Sequence, residues 1–588
     1  MQARFRAPTE PVNCLPKATQ QPATTRLGSW MHIVRRAYGC GGVVTILDEG
    51  GGRCRRMRVV WFKRDLRMAD HAPLVEAVES GEDVLFLYVH EPERCLQPDV
   101  SALHTAWEVA NARALSCSLQ RRGGTVQLRI GEPVAILSEL HAEDALTHLH
   151  SHQETGLMWS WERDKRVAQW CEANDVAWNE HPSNGVIRGL VDRDRWNGLR
   201  NRRMTATCFA APESVEPHPR FVSIDETTEV VPDYRELVKT PLEAGERAAH
   251  GWLDSFVEER WVDYLATISN PATSPEASSR LSAYIASGVL SVRQVKQRLL
   301  KAMHEAHGQS SVNMADFRKN ISAFTSRVSW RCHFVQRLEM ETTMNVQSIN
   351  PELDEALGRS DAEERFRAWA EGTTGWPFFD ACMRSLKATG WINFRMRAMM
   401  QSVAAYTLWL PWQRTGNHLA RLFIDYEPGI HWSQIHMQSG VTGINAVRAY
   451  SILKQSLDHD EAGDFIRKWV PELSMVPTPY IHEPWTMSES MQETTGTVIG
   501  VHYPRPIVDE NEARSLGIQS AYAARKHEDV KARSAQVYAR HGSRKQRRQR
   551  RPSRAPRASK PEPDPQTSLL DFQAVPAGPL NDKGGLKG

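Results

Sequence analysis

Arg395 and Arg397 lie two residues apart in the stretch GWINFRMRAMM at residues 390–400, among tryptophan, isoleucine, phenylalanine and methionine. The stretch has no proline and no internal glycine, and its residue types predict a helix. Two positions along a helix correspond to about 200° of rotation, so the two guanidinium groups leave opposite faces. One of them must therefore point toward the apolar side, where a charge is costly unless an anion pairs with it.

Two carboxylates that suit this pairing, Asp425 and Glu427, lie in FIDYEPGIHWSQIHMQSG at residues 423–440. They are predicted to sit at a helix end, which the following proline and glycine break. A buried carboxylate there would satisfy the inward arginine through two parallel hydrogen bonds. His431 and His436 are five residues apart with no third ligand nearby, so we interpret them as core histidines and expect no metal.

A second segment, SSRLSAYIASGVLS at residues 278–291, places small hydroxyl residues at a predicted helix start. The hydroxyls of Ser278, Ser279 and Ser282, together with free backbone N–H groups, suit a phosphate or diphosphate. An ordinary serine cap explains the same pattern, and for this segment alone it is the stronger interpretation.

A third segment, SRVSWRCHF at residues 326–334, carries Arg327 and Arg331 four residues apart, with Trp330 beside them. Such an arginine–aromatic helix face suits a nucleotide or a nucleic-acid backbone. A solvated arginine face over a core tryptophan accounts for the pattern equally well.

The regions that would position these segments differ in their periodicity. Residues 57–190 alternate short apolar strands with helices, which predicts a parallel, doubly wound α/β sheet, although no GxGxxG follows the first strand. Residues 191–250 are turn-rich and are interpreted as a connector, whereas residues 251–510 have helical period and predict an all-α domain. Residues 511–588 are polar and predict a basic, largely disordered tail.

Residues 1–56 differ from the rest of the chain, because they are loop-rich and contain only three acidic residues. They are either an arginine-rich targeting peptide or a disordered stretch upstream of the true start at Met57. We favour the second interpretation, because Met57 stands directly before the first predicted strand and no persistent amphipathic helix precedes it.

The composition narrows the class of protein. With 588 residues, 41% hydrophobic and 24% charged, the chain is long enough for two or three globular domains, and 19 tryptophans suit large cores or contacts to a planar ligand. A net charge of +3 means that any nucleic-acid affinity must come from local patches. Nine cysteines without a CxxC pair indicate a reducing, cytoplasmic compartment. No apolar run reaches the roughly 18 residues of a membrane span, so we expect no membrane partner.

Four motifs in order, VVWFKRDLRMADHAPL, SSRLSAYIASGVLS, AWAEGTTGWPFFDACMRSLKATGWINFRMR and DHDEAGDFIRKWVPEL, together resemble the photolyase/cryptochrome family. The resemblance runs from about Met57 to Pro506. It implies an N-terminal α/β domain that often holds an antenna pigment, and a C-terminal helical domain that buries FAD. It leaves the antenna open between methenyltetrahydrofolate, a deazaflavin, a second flavin and none.

The resemblance also implies which residues hold the cofactor. Arg397 and Asp425 match an arginine–aspartate pair beside the flavin ring, with Glu427 in place of a second aspartate, and such a fixed cation favours a negatively charged reduced flavin. Residues 278–282 match the family's phosphate-binding segment. The full cofactor-binding set implied is Tyr264, Ser278, Ser279, Arg280, Leu281, Ser282, Phe324, Arg327, Arg331, Phe334, Arg397, Asp425, Tyr426, Glu427 and His431.

On the DNA side, Trp330 matches the tryptophan that packs against the flipped lesion, and Arg395 matches the DNA-facing arginine. Two positions depart from the family pattern. Arg327 stands where the family has a glutamate that hydrogen-bonds the lesion, and Phe394 stands where it has an asparagine, so two polar groups that would contact thymine edges are replaced. The catalytic set is therefore expected at Trp330, Arg395 and Phe394.

The tryptophan chain that photoreduces the flavin is incomplete by the same comparison. Trp412 matches its middle member, but the proximal position falls near Ser433 or Gln434. Trp432 or Trp391 would have to substitute by proximity, and we place electron transfer on Trp412 and Trp432.

The resemblance implies light-driven DNA repair, in which excited reduced FAD passes an electron to a cyclobutane pyrimidine dimer that has been flipped out of the helix. We expect a monomeric photolyase that acts on UV-damaged DNA. A cryptochrome-type blue-light receptor is the alternative, and the altered lesion pocket favours it. A flavoprotein that binds damaged DNA without turnover is a third interpretation.

Two features of the tail suggest partners. Residues 541–560 hold nine lysines and arginines and no acid, which suits DNA phosphates or a solvated disordered segment. QTSLLDF, from Gln566 to Phe572, has the QxxLxxF spacing of peptides that dock on replication sliding clamps. A chance match is the stronger interpretation of so short a motif.

Overall fold

Five parallel strands form one sheet in the computed structural model, which describes residues 56–218, 223–306 and 313–542. The strands are β1 (Arg56–Phe62), β2 (Asp83–His90), β3 (Val126–Ile130), β4 (Ala145–His152) and β5 (Ala177–His181). Their order across the sheet is β3-β2-β1-β4-β5, so the chain begins at the centre and winds outward in both directions. The predicted doubly wound α/β fold is confirmed.

Helices cover both faces of this sheet, because successive side chains of each strand point to opposite sides. On one face Val59 packs with Ile136 and Val167, and on the other Val60 packs with Leu115. The helices of this part of the chain are α1 (Ala72–Glu79), α2 (Pro92–Cys95), α3 (Ala102–Gln120), α4 (Pro133–Glu143) and α5 (Met158–Ala173), of which α2 buries no residue.

The strand β4 was not foreseen from the sequence, although it pairs with both β1 and β5. Its sequence ALTHLHSH alternates with histidines at 148, 150 and 152, and it lacks the apolar run by which the other strands were recognised. These histidines share one face of the strand, where they meet polar side chains rather than an apolar core. Hydrophobic patterning therefore could not detect β4, because one face of this strand contacts a buried polar layer.

The second part of the chain is helical, as predicted. After α6 (Trp196–Thr205) and α7 (Tyr234–Leu237), it contains α8 (Glu246–Ser255), α9 (Tyr264–Thr267), α10 (Ser274–Ala277), α11 (Ser282–Ala286), α12 (Val292–Glu305), α13 (Met314–Met340), α14 (Pro351–Leu357), α15 (Glu363–Glu371), α16 (Pro377–Thr389), α17 (Phe394–Ser402), α18 (Trp412–Leu422), α19 (Pro428–Gln438), α20 (Ile452–His459), α21 (Asp464–Trp469) and α22 (Glu489–Thr495). Single π-helical turns lie at Phe256–Arg260 and Val403–Thr407, and short 3-10 turns at Arg193–Arg195, Pro471–Leu473, Thr478–Tyr480 and Pro484–Thr486.

The helix expected over residues 390–400 starts later, at Phe394. Gly390 ends α16 with φ of +69°, a left-handed conformation that glycine adopts without strain, and the next three residues form the turn. The proline–glycine pair after Glu427 was also misread. Pro428 is the first residue of α19 rather than a helix breaker, because proline lacks only an N–H that the first helical turn leaves unpaired.

The prediction of a disordered tail from residue 511 is wrong for its described portion. Two helices pack on the helical core: α23 (Glu510–Ala524) buries Ala521 and Ala524, and α24 (Glu528–His541) buries Val530 and Val537. A Cβ on Gly517 would lie 2.0 Å from the carbonyl oxygen of Tyr406, so only glycine allows this close backbone approach. Residues 1–55 and 543–588, which include the predicted upstream extension, most of the basic run and Gln566–Phe572, lie outside the described residues.

The α/β and helical parts share one apolar core, since strand residues such as Phe62 cluster with Tyr264, Tyr284 and Phe324. The two parts are therefore held in a fixed relation around the segments that carry the candidate site. In the described ranges, no helix is long and apolar enough to cross a membrane.

Candidate functional site

Arg397 projects from the first turns of α17 to the carboxylate of Asp425. Its two terminal nitrogens donate to the two carboxylate oxygens at 2.9 Å each, and its Nε donates to the Ile392 carbonyl at 2.7 Å. Burial alone would raise the pKa of Asp425, but the charge and hydrogen bonds of Arg397 lower it below its ordinary value. The expected contact between the inward arginine and a buried carboxylate is confirmed, whereas its role beside a flavin stays a prediction.

Glu427, two residues further on, accepts from two arginines that come from different parts of the chain. Arg331 of α13 donates at 2.5 Å, and Arg64, which follows β1, donates at 3.4 Å. Arg64 also donates to the Ala286 carbonyl at 3.0 Å. The three charged groups line a cleft between the α/β and helical parts.

The segment 278–282 forms the turn between α10 and α11. Arg280 there adopts a φ of +55° and lays its guanidinium over the Trp391 ring at 4.2 Å. Burial lowers the pKa of Arg280 to about 10, although Asp425 partly offsets the effect. Arg260 donates to the Ser278 carbonyl, and the buried Ser278 hydroxyl has no hydrogen-bond partner among the described residues.

These features fit the phosphate groups of FAD. A buried hydroxyl without a partner is costly, and buried guanidinium groups next to it favour an anion. An anionic ligand at this turn would satisfy the Ser278 hydroxyl and stabilise the charge of Arg280. The Arg397–Asp425 pair lies close enough for its charges to act on Arg280.

Two of the aromatic residues assigned to the cofactor, one from α9 and one from α13, are in contact. Tyr264 lies edge-on to Phe324 with ring centroids 5.8 Å apart, and the Arg327 guanidinium lies 5.5 Å from the Tyr264 ring. Burial raises the pKa of Tyr264 to about 12. Arg327 also donates to the Ala323 carbonyl at 2.9 Å, and Phe334, further along α13, contacts Arg337.

Arg395 leaves α17 on the side away from Asp425, as its spacing predicted. Its charge acts on Tyr450 and on His459, and Arg448 also acts on Tyr450. The buried Nε atoms of Arg395 and Arg448 have no hydrogen-bond partner, and neither arginine forms an ion pair, within the described residues. Both guanidinium groups thus act on Tyr450 and have no ion-pair partner among the described residues, although the Asp458 carboxylate acts on the same His459. Phe394, which precedes Arg395, is 40% exposed.

The two tryptophans assigned to electron transfer are in contact. Trp412 and Trp432 are fully buried, with ring centroids 5.9 Å apart and planes at 76°. Trp412 donates its indole N–H to Asp354 at 2.7 Å. The Trp391 ring instead packs against the Arg280 guanidinium. Of the two substitutes, Trp432 is therefore the one in contact with Trp412.

The chain of aromatic contacts continues from Trp432 toward Asp425. Trp432 donates its indole N–H to the Tyr426 hydroxyl at 3.0 Å, and Tyr426 donates to Asp99. The His431 ring lies edge-on to Tyr426 and Trp432, at 5.2 and 5.0 Å, and its Nε2 contacts the Gly416 carbonyl at 2.9 Å. Burial lowers the pKa of His431 to about 3, so the ring is a neutral core histidine.

Sequence reasoning missed three charged residues of this region: Arg64, Asp99 and Arg448. Arg64 was detectable, because the basic run KRDLR follows β1 at the carboxyl edge of the sheet, where parallel sheets bind ligands. Asp99 and Arg448 stand alone in loops, and no local pattern singles them out.

Two family models match this chain. One, described as DNA photolyase, covers residues 58–189, and the other, described as the FAD binding domain of DNA photolyase, covers residues 324–523. A cryptochrome DASH of Natronomonas pharaonis is 27% identical over 488 residues, which is 77% of this chain and 98% of that relative. A deoxyribodipyrimidine photo-lyase of Vibrio cholerae is 27% identical over 482 residues, covering 79% of this chain and 98% of that relative.

The fold is likewise similar to that of solved structures. The crystal structure of a bacterial class III photolyase from Agrobacterium tumefaciens matches with a TM-score of 0.70 and 23% identity, covering 82% of this chain and all of that one. At this identity the likeness shows the shared fold alone.

Proposed function

Since this chain belongs to the photolyase/cryptochrome family and carries its FAD-binding domain, we propose that it is a light-driven DNA repair enzyme that splits cyclobutane pyrimidine dimers. FAD, when bound, reduced and excited by light, supplies the electron that starts the cleavage. The chain's own residues hold the cofactor, exclude water and bind the damaged strand.

The cofactor side of the proposal relies on the turn at 278–282 and on the Arg397–Asp425 pair. The unpartnered Ser278 hydroxyl and the buried Arg280 suit the diphosphate. Arg397, whose position Asp425 holds, would offset the negative charge of a reduced flavin ring. Because Asp425 stays ionised, the arginine would keep its orientation through the light reaction.

The observation that carries repair is that Arg395 and Arg448 both act on Tyr450 and form no ion pair among the described residues. Two guanidinium groups without an ion-pair partner in the described ranges suit DNA phosphate, since phosphate accepts from arginine in the same forked geometry as a carboxylate. A pure photoreceptor has no need of such an anion-binding pair.

The lesion itself would contact aromatic residues. The exposed ring of Phe394 and the indole of Trp330 on α13 offer flat surfaces for a flipped pyrimidine dimer. Stacking can hold a flipped base without a polar group at the thymine edge. The absence of the family's glutamate and asparagine is therefore compatible with the proposed repair.

The second candidate, a blue-light receptor, is favoured by Arg327. This guanidinium occupies the position of the family's lesion-binding glutamate, and it lies over Tyr264 and donates to Ala323. It cannot accept a hydrogen bond from a thymine N–H, because arginine has no acceptor. In a receptor, the same FAD site would drive signalling instead of bond cleavage.

One experiment separates the two functions. The purified, reduced holoprotein is given an oligonucleotide with a single cyclobutane thymine dimer under blue light, and recovery of thymine absorbance is followed on duplex and single strands. Recovery that requires both light and flavin supports repair. No recovery, together with flavin that still photoreduces, would contradict repair and favour the receptor.

The variant Arg395→Ala sharpens this test, and Arg367→Ala is its matched control, since Arg367 is a surface arginine of α15 with 65% of its side chain exposed. Arg395→Ala should lower lesion binding and repair and leave flavin photoreduction intact. Repair that is equal in both variants would show that Arg395 does not face the DNA.

A further inference from the structure

A group of polar side chains lies between α1 and the sheet, far in sequence from the flavin site. Glu76 comes from the middle of α1, His150 from β4 and His181 from the last residue of β5. One carboxylate oxygen and one nitrogen of each imidazole lie within 4.8 Å of one another. No short spacing in the sequence joins these residues, and the expectation of no metal rested on His431 and His436 and on the cysteine pattern alone.

Two nitrogens of the group have no hydrogen-bond partner among the described residues. His181 Nε2 lies 2.7 Å from Glu76 Oε2 without forming a hydrogen bond, and His150 Nδ1 lies 3.9 Å from Glu76 Oε1, too far for a hydrogen bond. The His150 side chain is fully buried, and its Nδ1 has no hydrogen-bond partner among the described residues. Leaving such a buried nitrogen without a partner is costly, so the site favours a bound ion or water molecule.

In a neighbouring group of polar side chains, the facing atoms are bonded to one another and leave no place for an ion. Asp65 Oδ2 contacts His71 Nε2 at 3.0 Å and His152 Nδ1 at 2.7 Å, while its Oδ1 accepts from the Lys63 amide at 2.7 Å. His71 Nδ1 accepts from the Leu74 amide at 3.1 Å. All three side chains are buried and their facing atoms are bonded to one another, so this group is structural.

The Glu76 group differs in being open to solvent on one side. The Glu76 side chain is 42% exposed and that of His181 is 23% exposed, which gives an ion a route of entry. Asn179 donates to Glu76 Oε1 at 2.7 Å and thereby orients the carboxylate, as supporting residues commonly do around a metal.

We propose that Glu76, His150 and His181 form a site for a divalent transition-metal ion of the zinc class, with water as the fourth ligand. Two imidazoles and one carboxylate are a ligand set that zinc takes in tetrahedral geometry with one open position. Bond lengths of about 2.0–2.2 Å require side-chain shifts of about 1 Å, which the partly exposed Glu76 can make. The ion would tie α1 to the two strands beneath it.

One charge opposes the ion. Arg58 Nη1 lies 3.4 Å from His150 Nε2, and Arg58 is held by Glu82 at 2.8 Å. Glu82 offsets much of that positive charge, but an ion on Nδ1 makes Nε2 a donor, which then repels Arg58. The substitution Arg58→Gln should therefore strengthen binding of the metal.

The test uses the full chain, stripped with EDTA and titrated with Zn²⁺ alone by calorimetry. Binding of Co²⁺, followed by its visible absorption, distinguishes a tetrahedral nitrogen–oxygen site from cysteine thiolates. Wild type should bind one ion per chain, and Glu76→Gln and His181→Asn should each weaken binding by about 10- to 100-fold or more. His141→Asn, a substitution on α4 outside the group, should bind as wild type does.

The control for correct folding is the thermal unfolding midpoint in EDTA, which should be the same for both ligand variants and for wild type. Wild-type affinity in Glu76→Gln and His181→Asn would overturn the proposal, as would the absence of a one-to-one site in wild type. Weaker binding in Arg58→Gln would contradict an ion next to His150. The outcome does not depend on light or flavin, so it is separate from the proposed repair function.

Discussion

The Arg397 guanidinium and the Asp425 carboxylate meet through two hydrogen bonds of 2.9 Å each, and they join the start of α17 to the loop before α19. Asp425 is 8% exposed as a residue, and Arg397 also lies over the Phe423 ring at 4.1 Å. The pair thus holds the Arg397 charge in place and joins α17 to the loop before α19. Removing one partner leaves the other charge without compensation.

Asp425→Asn should therefore destabilise the protein and release its flavin. The loss expected from breaking a buried pair is about 3–5 kcal/mol in the free energy of unfolding. Urea unfolding and the flavin-to-protein ratio of the purified variant measure the two effects. The control is Glu162→Gln, which breaks a surface ion pair with Lys165. The side chains of Glu162 and Lys165 are 51% and 60% exposed, so this substitution should change neither the unfolding free energy nor the flavin content. Full flavin content in Asp425→Asn would contradict a role at the cofactor.

The contact between these two residues was predictable from a local pattern together with the family resemblance. The spacing of Arg395 and Arg397 in an apolar helix predicted that one of them points inward, and the resemblance indicated Arg397 as that residue and Asp425 as its partner. Because a buried charge is costly unless an opposite charge pairs with it, few other partners for the inward arginine are possible. The same reasoning placed Arg395 on the opposite face.

Other contacts could not be read from the sequence, because they depend on tertiary packing. Glu427 meets Arg64 across the two parts of the chain, and no periodicity links residues so far apart. The strand β4 was missed because its histidines face a polar layer, and hydrophobic patterning detects only strands that face apolar cores. The helices of residues 510–541 were missed because few apolar residues anchor them, and the close approach at Gly517 is invisible in composition.

Arg395→Ala and Arg448→Ala should each lower the salt dependence of DNA binding. A side chain that binds one phosphate displaces about one counterion, so the slope of log K against log salt should fall by about 1 in each variant. Fluorescence anisotropy with a dimer-containing oligonucleotide at several salt concentrations measures the slope. Arg367→Ala should leave it unchanged, and an unaltered slope in both test variants would show that these arginines do not bind phosphate.

Trp412→Phe and Trp432→Phe should slow photoreduction of the bound flavin. Their rings are buried with centroids 5.9 Å apart, and we predict that charge passes from one ring to the other during photoreduction. We expect the rate under blue light with an external reductant to fall by about tenfold or more, equivalent to about 1.4 kcal/mol. Trp170→Phe on α5 is the control, and a rate in either test variant equal to that of the control would exclude the residue from the path.

Stability should fall as the pH decreases below neutrality, because buried histidines must be neutral in the folded state. Burial, and then Arg94, lowers the pKa of His104 to about 4, from an ordinary value of 6.5. A lowered histidine pKa means that the unfolded chain binds the proton first, so stability is present above pH 6.5 and is lost progressively as the pH falls toward 4. One such group accounts for about 2 kcal/mol between pH 7 and pH 5.

His104→Gln measures this contribution separately from the contacts that His104 makes. The ring stacks on Tyr426 at 5.3 Å and contacts the Phe423 carbonyl at 2.9 Å, so the variant should be less stable than wild type at pH 7. Its additional loss between pH 7 and pH 5 should nevertheless be about 2 kcal/mol smaller than that of wild type. Urea unfolding at both pH values gives the two differences, and the exposed His502→Gln substitution should reproduce the wild-type difference. Equal pH dependence in His104→Gln and wild type would show that His104 takes up its proton in the folded state, and that its burial next to Tyr426 does not keep the ring neutral.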